Sequence, residues 1–331
     1  MKTVLGLVLG LRRHDLRAAR TFMNTLIPGV SFPVRLARFL IWVLHQSFVA
    51  IPRALQYTRF ARPVSRTPIW LAAGNPLANH PWNDNPDTAL PERVDLVVIG
   101  AGFTGAGCAY HWAKAGQGHM AILEMDDPAC GASGRNEGLV VMGRYFAMVR
   151  DTVRPYLDQV RADLSPADRD RLAEQFATRY AQSAYKNADL IEETVQSEGY
   201  ECEYARNGWI QARDQADQAG LEASIQAGTA AGFDDWASLP PEAVREKGGM
   251  RVEDPAGFSR RAASFHPAKW VWSLLRTAIA TPHVELYSRT RVLAITDQGE
   301  DYAVQTERGT IHARFVINAT ESYTAILHPQ Y

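Results

Sequence analysis

The sequence predicts an α/β protein whose parallel sheet opens on a phosphate-cradling loop, preceded by a basic helical arm. Three observations predict it. A short, almost wholly apolar run, "VDLVVI" (94–99), leads straight into three closely spaced glycines and a helix-forming stretch. A second apolar run, "HMAILE" (119–124), follows and ends in an acid. Charge is divided along the chain: residues 1–90 carry eleven Lys and Arg against three acids, net +8, while residues 91–331 sum to −9.

A chain of 331 residues suits two domains or one large α/β domain. Its 46% apolar and 21% charged residues are those of a globular protein with a sizeable core. The three cysteines, Cys108, Cys130 and Cys202, form no Cys-x-x-Cys pair. That argues against a disulfide framework and a zinc site, and it fits a reducing cytoplasm. No repeat or low-complexity segment stands out.

In the arm, "TVLGLVLGL" (3–11) is apolar but carries its positive charge mostly after the run, the reverse of a cleaved signal. A second stretch, "RLARFLIWVLHQSFVAIP", has an uncharged run of 13 residues from Phe39 to Ile51. A spanning helix needs about 20 apolar residues, so this run is expected to be too short. Leu36, Phe39, Leu40, Val43, Leu44 and Phe48 recur at helical spacing, with Arg35, Arg38 and His45 off that face. Two readings stand: an interfacial helix on anionic lipid, with residues 1–53 making the contact, or a helix packed on its own domain. Residues 61–91 are rich in Pro, Asn and Asp and read as an irregular connector.

The first strand runs into Gly100-Ala101-Gly102-Phe103-Thr104-Gly105 and then "AGCAYHWAKAG". Gly100 permits the tight turn out of the strand. Gly102 lets a pyrophosphate approach amides at the helix N-terminus, and Gly105 allows close helix–strand contact. Glu124 closes the second strand 19 residues after Gly105. A carboxylate there accepts hydrogen bonds from adenosine ribose hydroxyls and repels a 2′-phosphate. The unit therefore points to an adenine dinucleotide, FAD or NAD. "GASGRN" (131–136) follows, with Ala132, Ser133, Arg135 and Asn136. It reads either as a second cofactor loop past the pyrophosphate or as a turn in which Ser133 caps the next helix.

Together, "VVIGAGFTGAG" and "ILEMDDPACGASGRNEGLV" resemble the FAD-dependent amino-acid and amine oxidoreductases of the D-amino-acid oxidase-like group. The loop is most similar to that of the γ-glutamylputrescine oxidoreductase branch. "YECEYARNGWIQARDQADQAGLEA", "SRRAASFHPAKWVWSLLRTAI" (259–279) and "VELYSRTRVLAITDQGEDYAVQTERGTIHARFVINATESYT" (284–324) carry the resemblance onward. It implies FAD as cofactor, with the backbone around Val292 meeting the adenine and Ala319-Thr320 ending the return strand beside it. It implies a Rossmann-like FAD-binding domain with an interleaved α+β substrate domain. That substrate domain is expected to be incomplete, because relatives continue well past the position of Tyr331. The implied organisation is a partly amphipathic arm (1–60), a connector (61–91), the first part of the FAD-binding domain (92–144), a helical segment (145–199), a partial substrate domain (200–265) and the return part (266–331).

The implied chemistry is oxidation of a C–N bond. A hydride leaves the carbon beside a neutral amine for flavin N5, and the imine hydrolyses. The substrate is then a small amine or amino acid, with no metal and no nucleic acid. No catalytic residue is assigned. His266 reads mainly as a residue leading the next helix. At most one of Arg260 and Arg261 could clamp a carboxylate, since neighbours on a strand face opposite ways. Trp209, Trp236, Trp270 and Trp272 read as core aromatics. Glu137 departs from the family's glycine: it either opposes charge on the reduced ring or acts as an outward helix-capping acid. Two other readings stay open: a flavin-binding relative needing a complementing chain, and a membrane-surface or partner-binding module without cofactor.

Overall fold

The computed structural model describes residues 31–56, 65, 67–80, 89–142, 145–213, 215 and 218–327. It divides into two compact units, Met1–Arg66 and Thr67–Tyr331. In the first, helix α1 (Phe32–His45) passes through a π turn (Gln46–Ala50) into α2 (Ile51–Gln56). Phe32–Arg53 is a helix of 22 residues with mean hydropathy 1.4, long and apolar enough to cross a membrane by length and composition. The 13-residue estimate was too short because the helix continues past the arginines at both ends of the uncharged run. Phe39, Ile41, Trp42, Leu44 and Phe48 are exposed, so its apolar side chains are not confined to the face expected. The run at 3–11 lies outside the described residues.

The second unit begins with a single-turn helix, α3 (Ile69–Ala72). Next come β1 (Arg93–Ile99), α4 (Phe103–Ala115) and β2 (Met120–Leu123). The chain then leaves the sheet through a 3₁₀ turn (Ala132–Gly134), β3 (Leu139–Val140) and two long helices, α5 (Tyr145–Val160) and α6 (Pro166–Glu198). Ser165 caps α6 by accepting from the Asp168 amide, with Pro166 following it. The excursion continues through β4 (Trp209–Gln211), α7 (Gln218–Ala230), β5 (Trp236–Leu239), α8 (Pro241–Gly248), β6 (Ala256–Ser259) and β7 (Ala263–Ser264). It ends in α9 (Pro267–Ile279) and β8 (Val284–Tyr287). The last elements are β9 (Val292–Asp297), β10 (Tyr302–Thr306), β11 (Gly309–Asn318) and α10 (Thr324–Leu327).

The main sheet has the order β8-β2-β1-β11-β10-β9. β8, β2, β1 and β11 run parallel, while β9 and β10 form an antiparallel excursion. β11 serves both regimes: its first half pairs with β10 and its second half with β1. A three-stranded antiparallel sheet, β4-β6-β5, and a small pair, β3-β7, are inserted between β2 and β8. This is the α/β architecture with an interleaved α+β unit that the sequence predicts.

β1 is apolar on both sides because both sides are covered. Leu96 and Val98 enter one core cluster with α4 and α9, and Val97 and Ile99 enter another with Val292, Val304 and Ile311. Each such side chain contributes about 1.5–3 kcal/mol on burial. α4 lies against α9, which fixes its N-terminus over the sheet's edge of loops.

Residues 67–80 differ from the connector reading. Leu77 is 4% exposed, and Trp70 and Leu71 pack against the larger cluster. Their apolar side chains are embedded in a Pro- and Asn-rich string, which masks them in sequence.

Two glycines of α4 separate close approach from mere helix content. A methyl group at Gly105 would lie 1.9 Å from the Gly100 carbonyl oxygen, whereas one at Gly107 meets nothing within 4 Å. Gly107→Ala should therefore stabilise the protein by about 0.5–1 kcal/mol, the helix-propensity gain. Gly105→Ala should cost more than about 2 kcal/mol, because backbone must move. Urea unfolding of both variants measures the difference.

Candidate functional site

At the C-terminal end of β1 the backbone turns sharply. Gly100 has φ +105°, and a side chain there would strike the Ala319 carbonyl oxygen at 2.7 Å. The Ala319 amide donates to Ile99 O at 2.9 Å, so the end of β11 is stitched to the turn. Gly102 is the N-cap of α4 and has extended backbone. The space a side chain would need there is taken by Ser133 Oγ, 2.7 Å away. That hydroxyl accepts from the Phe103 amide at 2.8 Å.

Ser133 therefore does cap a helix, but not the next one, as the capping alternative had it. It sits in a 3₁₀ turn with no long helix behind it, and it caps α4 from 30 residues away. Phe103 N–H is one of the amides that a helix N-terminus leaves without an internal partner. The Ser133 hydroxyl hydrogen remains a donor.

Glu124 is 8% exposed. Its carboxylate accepts from the Ala101 amide at 2.8 Å and the Asp126 amide at 2.9 Å. Burial raises its pKa, the two amide bonds oppose the rise, and Asp126 and Asp127 add to it. Asp126 and Asp127 stand beside it, and Asp127 in turn pairs with Arg289 at 3.4 Å.

The second loop is held largely by its own polar side chains. Asn136 Nδ2 donates to Ala132 O and Ser133 O, while its Oδ1 accepts from the Gly138 amide. Arg135 Nε donates to Cys130 O at 2.7 Å. Trp272 Nε1 donates to Pro128 O at 3.0 Å, tying the approach to the loop onto α9.

These parts face one cavity of about 1160 Å³. Of the residues singled out in the sequence, Gly100, Gly102, Phe103, Thr104, Glu124, Ala132, Ser133, Arg135, Asn136, Val292, Ala319 and Thr320 line it. Ala101 and Gly105 do not; both are buried behind the loop, Ala101 presenting its amide to Glu124 and Gly105 seating the helix. Thr290, Arg291, Phe265 and the turn from Glu321 to Tyr323 also line the cavity and were missed. Only the neighbouring "EMDD" acids offered a local signal. The other positions meet the loops through long-range folding.

Glu137 is exposed and lines the cavity, and no helix starts beside it, so the helix-capping alternative is excluded. His266 caps α9, its Nδ1 accepting from the Lys269 amide, and burial lowers its pKa. Arg261 makes a two-pronged contact with Asp189 and stacks over Tyr185, so it is occupied as a structural cation. Trp236, Trp270 and Trp272 are buried core aromatics, and Trp209 packs edge-on against Trp236. Among the described residues no group of His, Cys, Asp and Glu is placed to hold a metal.

A parallel sheet with a glycine turn at the end of β1, an acid on the neighbouring strand and a cavity lined by both is the arrangement of the dinucleotide-binding folds. Residues 95–330 match the DAO family, FAD dependent oxidoreductase, and the chain belongs to that family, whose cofactor is FAD. The chain is similar to the probable oxidoreductase OrdL of Haemophilus influenzae, 21% identical over 237 residues, covering 71% of this chain and 51% of that one. Its fold is similar to glycine oxidase from Geobacillus kaustophilus, with 21% identity and TM-score 0.54 over 72% of this chain and 58% of that one. It is also similar to L-amino acid deaminase from Proteus myxofaciens, with 22% identity and TM-score 0.55 over 72% and 48%. The chain spans about half the length of the relatives it matches.

The residues present fit the ADP half of FAD. Gly102 leaves a cradle over helix amides, Ser133 offers a hydroxyl donor, and Glu124 offers a carboxylate at the end of β2.

Cys130 lines the same cavity, but its thiol is pushed up to about 12, mostly by burial and then by Glu124, Asp126 and Asp127. The thiolate is the reactive form. Maleimide should therefore label Cys130 of the folded protein at pH 7.5 at least tenfold more slowly than the same thiol in urea, as read by peptide mass mapping.

Proposed function

We propose that the chain carries the cofactor-holding part of an FAD-dependent oxidoreductase that oxidises the C–N bond of a small amine or amino acid. The observation that carries this reading is the Phe103 amide bonded to Ser133 Oγ, which joins the two loops along one cavity that Glu124 also lines. The names of the relatives, a glycine oxidase and an amino acid deaminase, support the substrate class. "GASGRN" supports placing the chain in the γ-glutamylputrescine oxidoreductase branch.

In this reading, bound FAD supplies the acceptor for the substrate hydride. The chain's own groups bind and orient. Amides at the start of α4 and the Ser133 hydroxyl hold the pyrophosphate, and the Glu124 carboxylate takes the ribose hydroxyls. Val292, Ala319, Thr320, Phe265 and Leu139 line the same cavity and would contact the bound cofactor. Glu137 lies on the cavity wall, where its carboxylate disfavours added negative charge.

Titration of the purified protein with FAD tests the cofactor reading. Quenched, red-shifted flavin with saturable stoichiometry is expected, and Ser133→Ala should weaken it about tenfold, the value of one charge-assisted hydrogen bond. A protein that leaves the flavin spectrum unchanged would overturn the proposal.

A second proposal concerns place. The exposed apolar helix Phe32–Arg53 and the +8 charge of residues 1–90 support peripheral attachment of a cytoplasmic protein to anionic lipid. The full chain should sediment with phosphatidylglycerol vesicles and be released by high salt, and a variant lacking residues 1–53 should stay in solution. Retention in high salt would replace the peripheral reading with an inserted helix, and no sedimentation would remove both.

A further inference from the structure

The segment before the family-matching region packs directly on the second loop. Its short helix α3 starts after Pro68, whose carbonyl accepts from the Leu71 and Ala72 amides. Trp70 Nε1 donates to Asn136 O at 2.7 Å. The same indole stands edge-on to the His266 ring, centroids 5.0 Å apart. Leu71 fills the space over Gly134: a methyl group there would lie 2.8 Å from Leu71 Cδ2. Gly138 likewise makes room, its absent side chain pointing at Phe265 O and the Trp70 ring.

The contacts form a continuous line. Trp70 holds the Asn136 carbonyl, and the Asn136 side chain holds the carbonyls of Ala132 and Ser133. Ser133 in turn caps α4 at Phe103. The Asn136 side chain is fixed at both ends, its Oδ1 accepting from the Gly138 amide. Gly131, Ala132 and Arg135 of the loop are exposed, and its 3₁₀ turn also meets α9. Trp70 and Leu71 add a further anchor from outside residues 95–330, where the family resemblance lies.

We propose that Trp70 is a positioning residue: it braces the second loop so that Ser133 stays on the Phe103 amide, and through Ser133 it sets how tightly the cofactor is held. The cofactor arm of this proposal rests on the reading of the cavity as the FAD site. The bracing arm does not.

Trp70→Phe removes the N–H while keeping an aromatic ring, and two readouts separate the arms. In the protein without added cofactor, trypsin cleavage after the exposed Arg135 should be about fivefold faster in Trp70→Phe, the effect of one lost hydrogen bond on local opening. Cleavage after Arg245 in α8 should be unchanged. With FAD, Trp70→Phe should weaken binding about fivefold in the wild-type background and leave it unchanged in the Ser133→Ala background, because the brace acts through that hydroxyl. Equal cleavage after Arg135 in both proteins would overturn the brace whether or not FAD binds. Cleavage accelerated equally at Arg135 and Arg245 would show general destabilisation and would also overturn it. Faster cleavage at Arg135 alone, with an equal loss of FAD affinity in both backgrounds, would overturn the route through Ser133. If wild-type protein binds no FAD, the functional reading falls, and the cleavage rates still decide the brace.

Discussion

The bond from the Phe103 amide to the Ser133 hydroxyl organises the site. It satisfies a helix amide that would otherwise need water or a ligand, and it seats the second loop against the first. Gly102 makes this approach available, because any side chain there would occupy the position of Ser133 Oγ. The contact thus couples two stretches of sequence that each looked like an ordinary loop. Both loops line the cavity, together with the start of β9 and the turn after β11.

Behind that contact stands a second constraint, the crowding at the end of β1. Gly105 sits on Gly100, and Gly100 sits under the Ala319 carbonyl, so strand, helix and return strand converge with no side chain between them. This close packing presents amides to the cavity while Val97, Val98 and Ile99 remain in the core. Charge is arranged with the same economy. Amides and the α4 N-terminus favour anions at one point, and Glu124, Asp126 and Asp127 disfavour them a few residues away. A ligand with one pyrophosphate and a free ribose satisfies both conditions.

Much of this was legible in the sequence where the signal is local. β1, the glycine turn, α4, β2 and Glu124 form one continuous stretch whose apolar pattern and glycine spacing specify both the strand type and the turn. Ser165-Pro166 marks the start of α6 for the same reason: a cap is a short-range interaction. What was not legible depends on distant segments meeting. Ser133 offered a choice between cap and cofactor loop, and its actual partner lies 30 residues back. Val292, Ala319 and Thr320 came from family resemblance, since nothing in their immediate neighbours distinguishes them. Trp70 and Leu71 were hidden in a string of Pro, Asn and Ala whose composition reads as a connector. Only the fold shows that their side chains land on Gly134 and Gly138.

The central claim is that the two loops act as one cradle. Amide hydrogen exchange with and without FAD tests it most directly, because it reports each loop separately without any substitution. The account predicts that FAD slows exchange in residues 100–105 and 131–136 together, over the same range of FAD concentration. Protection of the first loop with the second unchanged would contradict it, as would protection confined to neither.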